Sequence, residues 1–160
     1  MFGIPGLDGL GFVHTLLGLA ALLAGCAVVI GPKGTRIHRS IGRGYVAAML
    51  MLNVTALLIY DLYGRFGPFH VAALVSLATV LAGIVPMLRR RPHATWMELH
   101  ATFMSWSYVG LIAAFIAEIA THVPGVRFGW GVGAATIAAV GVGAVLIHGR
   151  VPRILREMAR

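Results

Sequence analysis

An all-α bundle of five transmembrane helices is the fold class this sequence predicts, and three observations predict it. The 160 residues are 59% hydrophobic and 11% charged, with a mean hydropathy of +0.88, whereas a soluble domain is about a quarter charged. The apolar residues gather in five runs, each close to the roughly 20 residues that carry a helix across a bilayer. The cationic residues fall almost entirely between alternate runs, as they do in multi-pass proteins.

The first run, residues 9–30, follows MFGIPGLDGLG, in which Asp8 is the charged residue. A cleavable signal needs a basic start and a shorter apolar stretch, so this run is expected to remain as a spanning helix. Gly11, Gly18 and Gly25 recur every seven residues along it, with Ala21 four before Gly25, a smooth stripe on which a second helix can close. Cys26 is the single cysteine; it excludes an intrachain disulfide and reads as a small buried apolar residue.

The second run, 44–63, follows a basic loop, GPKGTRIHRSIGR. Asn53 and Thr55 lie in mid-span, where polar groups hydrogen-bond between helices. Tyr45 is placed at one interface and Tyr60 and Tyr63 at the other, where amphipathic rings favour the headgroup level. A GRFG turn leads to the third run, 68–88, in which Pro86 should kink or end the helix because it lacks the N–H for the ladder. The fourth run, 96–121, starts at Trp96 and carries SWSY deeper inside. The fifth, 129–149, has Gly131, Ala135, Ala139 and Gly143 at four-residue intervals, a second close-packing stripe, and is followed by a basic tail, RVPRILREMAR. The short connections leave room for a single transmembrane domain, 1–160, and no soluble one.

Lys33, Arg36, Arg39, Arg43, Arg89, Arg90, Arg91, Arg150, Arg153, Arg156 and Arg160 share one side, against Arg65 and Arg127 on the other. Basic short loops stay in the cytoplasm, which puts the N-terminus outside and the C-terminus inside. The formal charge of +8 therefore records topology and contact with anionic headgroups on the cytoplasmic side, not nucleic-acid binding. The glycine stripes fit a partner helix in this chain or in a second copy, so a homo-oligomer is compatible with them.

Within that layout His14, Asp61, His70, Glu118 and His122 fall near the outer boundary, within about two helical turns of it at 1.5 Å per residue. Ionisable groups at membrane depth are costly and mark function. Glu118 and His122 are four apart and share a helix face. Zinc takes imidazole nitrogen and carboxylate oxygen, and a catalytic zinc keeps one position for water. The expected metal site is therefore His14, His70 and Glu118, with Asp61 or His122 as fourth ligand, supporting partner or base. As an enzyme, such a protein would carry out metal-assisted hydrolysis near the lipid interface. Two alternatives stand beside it. His14 and His70 on facing helices could bind a b-type haem axially, which leaves the carboxylates unused. A non-catalytic membrane interaction module would use only the packing stripes. On the inner side, His38 and His93 read as headgroup contacts, and His100 as a hydrogen-bonding group at a helix end. Ser76, Ser105 and Ser107 lie in apolar spans and read as packing residues, and no glycine loop of the phosphate-cradling kind is present.

The segments GPKGTRIHRSIGRGYVAAML, FGPFHVAALVSL and ELHATFMSWSYVGLIAAFIAE resemble a bacterial family of small predicted integral-membrane proteins of unknown function. The resemblance runs from about His14 to Glu118, with HRSIGRGYV its most specific part. It implies a multi-pass protein of the bacterial inner membrane and brings no reaction or cofactor with it. His14, His70, His100 and Glu118 lie within the resembling stretch, and His122 lies beyond it.

Overall fold

The computed structural model describes residues 9–60, 64–121 and 128–158. Five helices follow one another: α1 (Gly9–Ile30), α2 (Arg36–Leu58), α3 (Pro68–Arg89), α4 (Trp96–Thr121) and α5 (Phe128–Met158). Among the described residues there is no strand, and all five helices are long and apolar enough to cross a membrane. Two compact units divide the chain, with the boundary at Val80 and Leu81 inside α3.

In the first unit α1 and α2 form an antiparallel hairpin, closed by residues 31–35. Lys33 ends α1: its Nζ donates to the carbonyls of Val28 at 2.6 Å, Val29 at 2.8 Å and Gly31 at 3.1 Å, a cation on the oxygens that a helix C-terminus leaves unpaired. Gly34 turns the chain at a φ of +75°, which glycine adopts without a Cβ penalty. Thr35 then caps α2, its hydroxyl accepting from the His38 N–H at 3.1 Å as an N-cap threonine does. The stripe on α1 is the face that packs: Ala21 and Gly25 are buried, and Gly18 lies opposite Leu52.

The basic loop expected before α2 is therefore mostly helix. Arg36 starts the helix eight residues before the apolar run, because a cap supplies what hydropathy does not measure. Arg36, Arg39 and Arg43 stand exposed along its first turns. Tyr45, expected at an interface, is 2% exposed, its ring packed inside the first unit. At the other end α2 stops at Leu58, with Ile59 extended. Asn53 is buried but turns back on its own helix, its amide donating to the Met49 carbonyl at 2.8 Å. Cys26 is exposed on α1 rather than buried.

In the second unit α4 packs on α5 along the predicted stripe. A Cβ on Gly143 would lie 2.5 and 2.6 Å from the two methyls of Val109, so glycine is what permits the approach. Ile147 and Val151, one and two turns further on, are buried on the same side of α5. The helix runs to Met158, through the basic tail and with Pro152 inside it. Pro86 does not stop α3 at once. The helix ends at Arg89, Arg90 takes a φ of +49°, and the Arg91 N–H returns to the Pro86 carbonyl at 3.2 Å, the 6→1 bond of a Schellman closure.

Candidate functional site

His14 lies on the α1 face turned toward α2, and its Nδ1 is 2.9 Å from Thr55 Oγ1. Thr55, buried on α2, sends its one hydroxyl hydrogen to the Leu52 carbonyl at 2.9 Å. The oxygen can then only accept from the ring, so His14 Nδ1 carries a proton and, in the neutral ring, the lone pair sits on Nε2. A histidine whose far nitrogen is held by a second group in this way is the usual form of a metal ligand.

His70 is arranged the opposite way. It is the third residue of α3, 4% exposed, and its Nδ1 accepts the Gly67 backbone N–H at 3.2 Å while its own N–H bonds the Gly67 carbonyl at 3.0 Å. The ring thus supplies the N3 half of a capping box, with imidazole in the place usually held by Glu or Gln. A neutral His70 must therefore carry its proton on Nε2, which is buried and has no hydrogen-bond partner among the described residues. Tyr60 and Phe66 flank the ring, with centroids 4.5 and 4.9 Å away at tilts of 42° and 34°. As hydrogen-bonded here, His70 offers a donor and not a lone pair.

Glu118 is on the exposed side of α4, one position round from Ala117, which is 2% exposed. Asp61 and His122, the two helpers expected beside the ion, lie outside the described residues. Among the described residues no three His, Cys, Asp or Glu side chains come together as a metal-holding group. At the start of α4, His100 Nδ1 is 2.9 Å from the Gly83 carbonyl oxygen, so it donates and also leaves its lone pair on Nε2. His148 turns back on its own helix to the Ala144 carbonyl at 2.8 Å, and His93 is exposed.

Three of these partnerships escaped the sequence reading. The Thr55 hydroxyl was expected to pair across helices, but nothing in its spacing names His14. The Gly67–His70 pair had a signal, since glycine and proline followed two places later by a side-chain acceptor is a helix start. Gly83 had none: it stands alone in α3, yet a Cβ there would lie 2.8 Å from Met104 Sδ and 3.2 Å from the Met104 nitrogen.

Large apolar side chains stand open, Leu23, Ile30, Trp130 and Ile137 each being more than 70% exposed, while Asn53, Thr55, His70 and Ser107 are buried. That inversion of a soluble surface defines a polytopic helical membrane protein. The chain belongs to the family described as predicted membrane protein, DUF2306, whose model matches residues 11–155. No curated protein and no solved structure matches it.

Proposed function

We propose that this is a metal-binding protein of the bacterial cytoplasmic membrane, N-terminus outside and C-terminus inside, with His14 as the anchoring ligand near the outer face. The observation that carries the reading is the chain of hydrogen bonds from His14 Nδ1 to Thr55 Oγ1 to the Leu52 carbonyl, which makes Nε2 the nitrogen of the neutral ring that bears the lone pair a metal ion would need. Zinc suits a donor set of imidazole and carboxylate. His70 and Glu118 were the partners the sequence favoured. His70 would have to give up the Gly67 N–H to ligate through Nε2, so His14 holds the ion in our reading. Asp61 and His122 are the candidates for its remaining positions or for a base. The orientation rests on the basic residues of the connections after α1 and α3 and of the tail, which also meet anionic headgroups.

Elemental analysis of protein purified without chelator tests the metal. About one zinc per chain in the wild type, lost in His14→Ala, is the expected result, and a metal-free wild type overturns it. The b-type haem is the second reading, favoured by the same lone pair, because iron also takes imidazole Nε2. An intense visible absorption band, lost in His14→Ala, would replace zinc with haem.

A further inference from the structure

We propose that the groove between α4 and α5 holds one acyl chain of an anionic phospholipid whose phosphate is met by Arg150. The groove has a volume of about 290 Å³ and is lined by Val109, Ile112 and Ile116 of α4 and by Ala139, Val142, Gly143 and Leu146 of α5. It exists because α5 presents the small residues Ala139 and Gly143 between larger ones. No polar side chain lines it, and Ile116, Val142 and Leu146 are exposed. It therefore opens outward and offers an occupant only apolar contact.

Size and position select the occupant. From Val109 to Ile116 the groove runs seven residues, about 11 Å along the helix, so its 290 Å³ leaves a bore of about 26 Å², or about 6 Å across. A second helix, about 10–12 Å wide, cannot lie in it, whereas a single hydrocarbon chain can. The same face of α5 leads on to charge. Arg150 and Arg153 follow Leu146 by four and seven residues, which puts them on its side of the helix, and both are exposed. Arg150 to Ala139 is about 17 Å along the axis, close to the roughly 15 Å of one leaflet in a hydrocarbon core about 30 Å thick. A lipid of that leaflet sets its phosphate at Arg150, whose guanidinium fork matches phosphate oxygens, and lays a chain from there to mid-membrane. Glu98 is the exposed acid of this end. With Gly143 against Val109 in antiparallel helices it is level with Ile154, about a turn further out than Arg150. These depths hold for either orientation of the chain. The reading narrows the headgroup contact of the basic tail to one lipid and does not rest on a metal at His14.

The test is photolabelling of the full chain in maltoside detergent with a phosphatidylglycerol carrying a diazirine at mid-chain, beside the matching phosphatidylcholine and a diazirine-bearing stearic acid. Saturable labelling is expected, with adducts on residues 109–116 and 139–146 and with phosphatidylglycerol favoured over the other two. Val142→Phe fills the groove from its exposed side and should weaken that labelling roughly tenfold, the worth of about two buried methylenes. Val145→Phe, also exposed but outside the groove, should leave it unchanged, and thermal unfolding shows that both variants are folded. Arg150→Gln should lower the preference for phosphatidylglycerol about fivefold while the adducts stay in place. Adducts spread over the exposed faces of all five helices overturn the proposal, as does unchanged labelling in Val142→Phe or unchanged preference in Arg150→Gln. Labelling by stearic acid as strong as by phosphatidylglycerol overturns the phospholipid. A dimer that keeps label out of the groove and falls apart in Val142→Phe assigns the groove to a second copy and overturns it too. A preference for phosphatidylglycerol without adducts in the groove also overturns it, and leaves the headgroup contact of the tail and the metal at His14 untouched.

Discussion

His100 Nδ1 hydrogen-bonds the carbonyl oxygen of Gly83 at 2.9 Å, tying the start of α4 to the last third of α3. The tie depends on what Gly83 lacks. With a Cβ at that position the chain would meet Met104 Sδ at 2.8 Å, Cγ at 3.0 Å and the backbone nitrogen at 3.2 Å, so α4 could not lie close enough for the ring to reach.

Gly83→Ala is therefore expected to destabilise the protein by about 1–3 kcal/mol, the usual cost of overpacking. Adding Met104→Ala should recover only part of it, because the backbone nitrogen stays where it is. Thermal unfolding in detergent reads both. Full recovery in the double variant would show that the side chain alone sets the spacing.

The pair Gly143 and Gly141 gives an internal control on α5. Alanine at 143 meets both Val109 methyls, whereas at 141 nothing lies within 4 Å of a new Cβ. Gly143→Ala should cost about 1–3 kcal/mol, and Gly141→Ala should be neutral or stabilising by up to about 1 kcal/mol from helix propensity. Combining Gly143→Ala with Val109→Ala should restore much of the loss, with a coupling well above 0.5 kcal/mol in a double-mutant cycle.

Thr55→Val keeps the shape beside His14 and removes the oxygen that fixes its tautomer. Metal affinity should fall about 10- to 100-fold, the range for losing a group that holds a ligating histidine, while Thr55→Ser should stay near wild type. Competition titration against a chromophoric chelator measures it. Equal affinities in the two variants would detach Thr55 from the site.

Lys33→Met removes the cation that closes α1 on three carbonyls. A loss of about 1 kcal/mol is expected, larger than for Arg36→Met on the exposed face of α2, and hydrogen exchange should rise at the end of α1 first.

The orientation can be read from single cysteines placed at Lys33, Arg65 and Arg91 in a Cys26→Ser background. A maleimide that does not cross membranes should label intact cells at 65 and not at 33 or 91. The reverse pattern would invert the protein.

How far the sequence foretold this varies by element and for physical reasons. The bounds of α1 and α4 were read from the apolar runs alone, because both helices are apolar nearly throughout. Those of α2 and α5 were missed by about two turns each, since their ends are basic and a hydropathy window sees polar residues as loop. Thr35 was the signal that should have moved α2 back to Arg36. The Gly143 stripe was legible because one face of one helix carries it. The His14–Thr55 bond was not, since the register between two helices depends on how the turn at residues 31–35 is closed. Glu118 shows the same limit. Its place in an apolar run was evident, but the outward turn away from Ala117 depends on which face of α4 is packed.

The capped start of α2 has a mechanical consequence. Arg36, Arg39 and Arg43 ride on the same unbroken helix as Thr55, between twelve and nineteen residues and roughly 18 to 29 Å away at 1.5 Å per residue. A rod of that kind cannot be turned at one end only. Any rotation that re-seats His14 against the Thr55 hydroxyl sweeps three arginines around the axis at the opposite surface of the bilayer, so the two leaflets are joined by a crankshaft rather than by a loop.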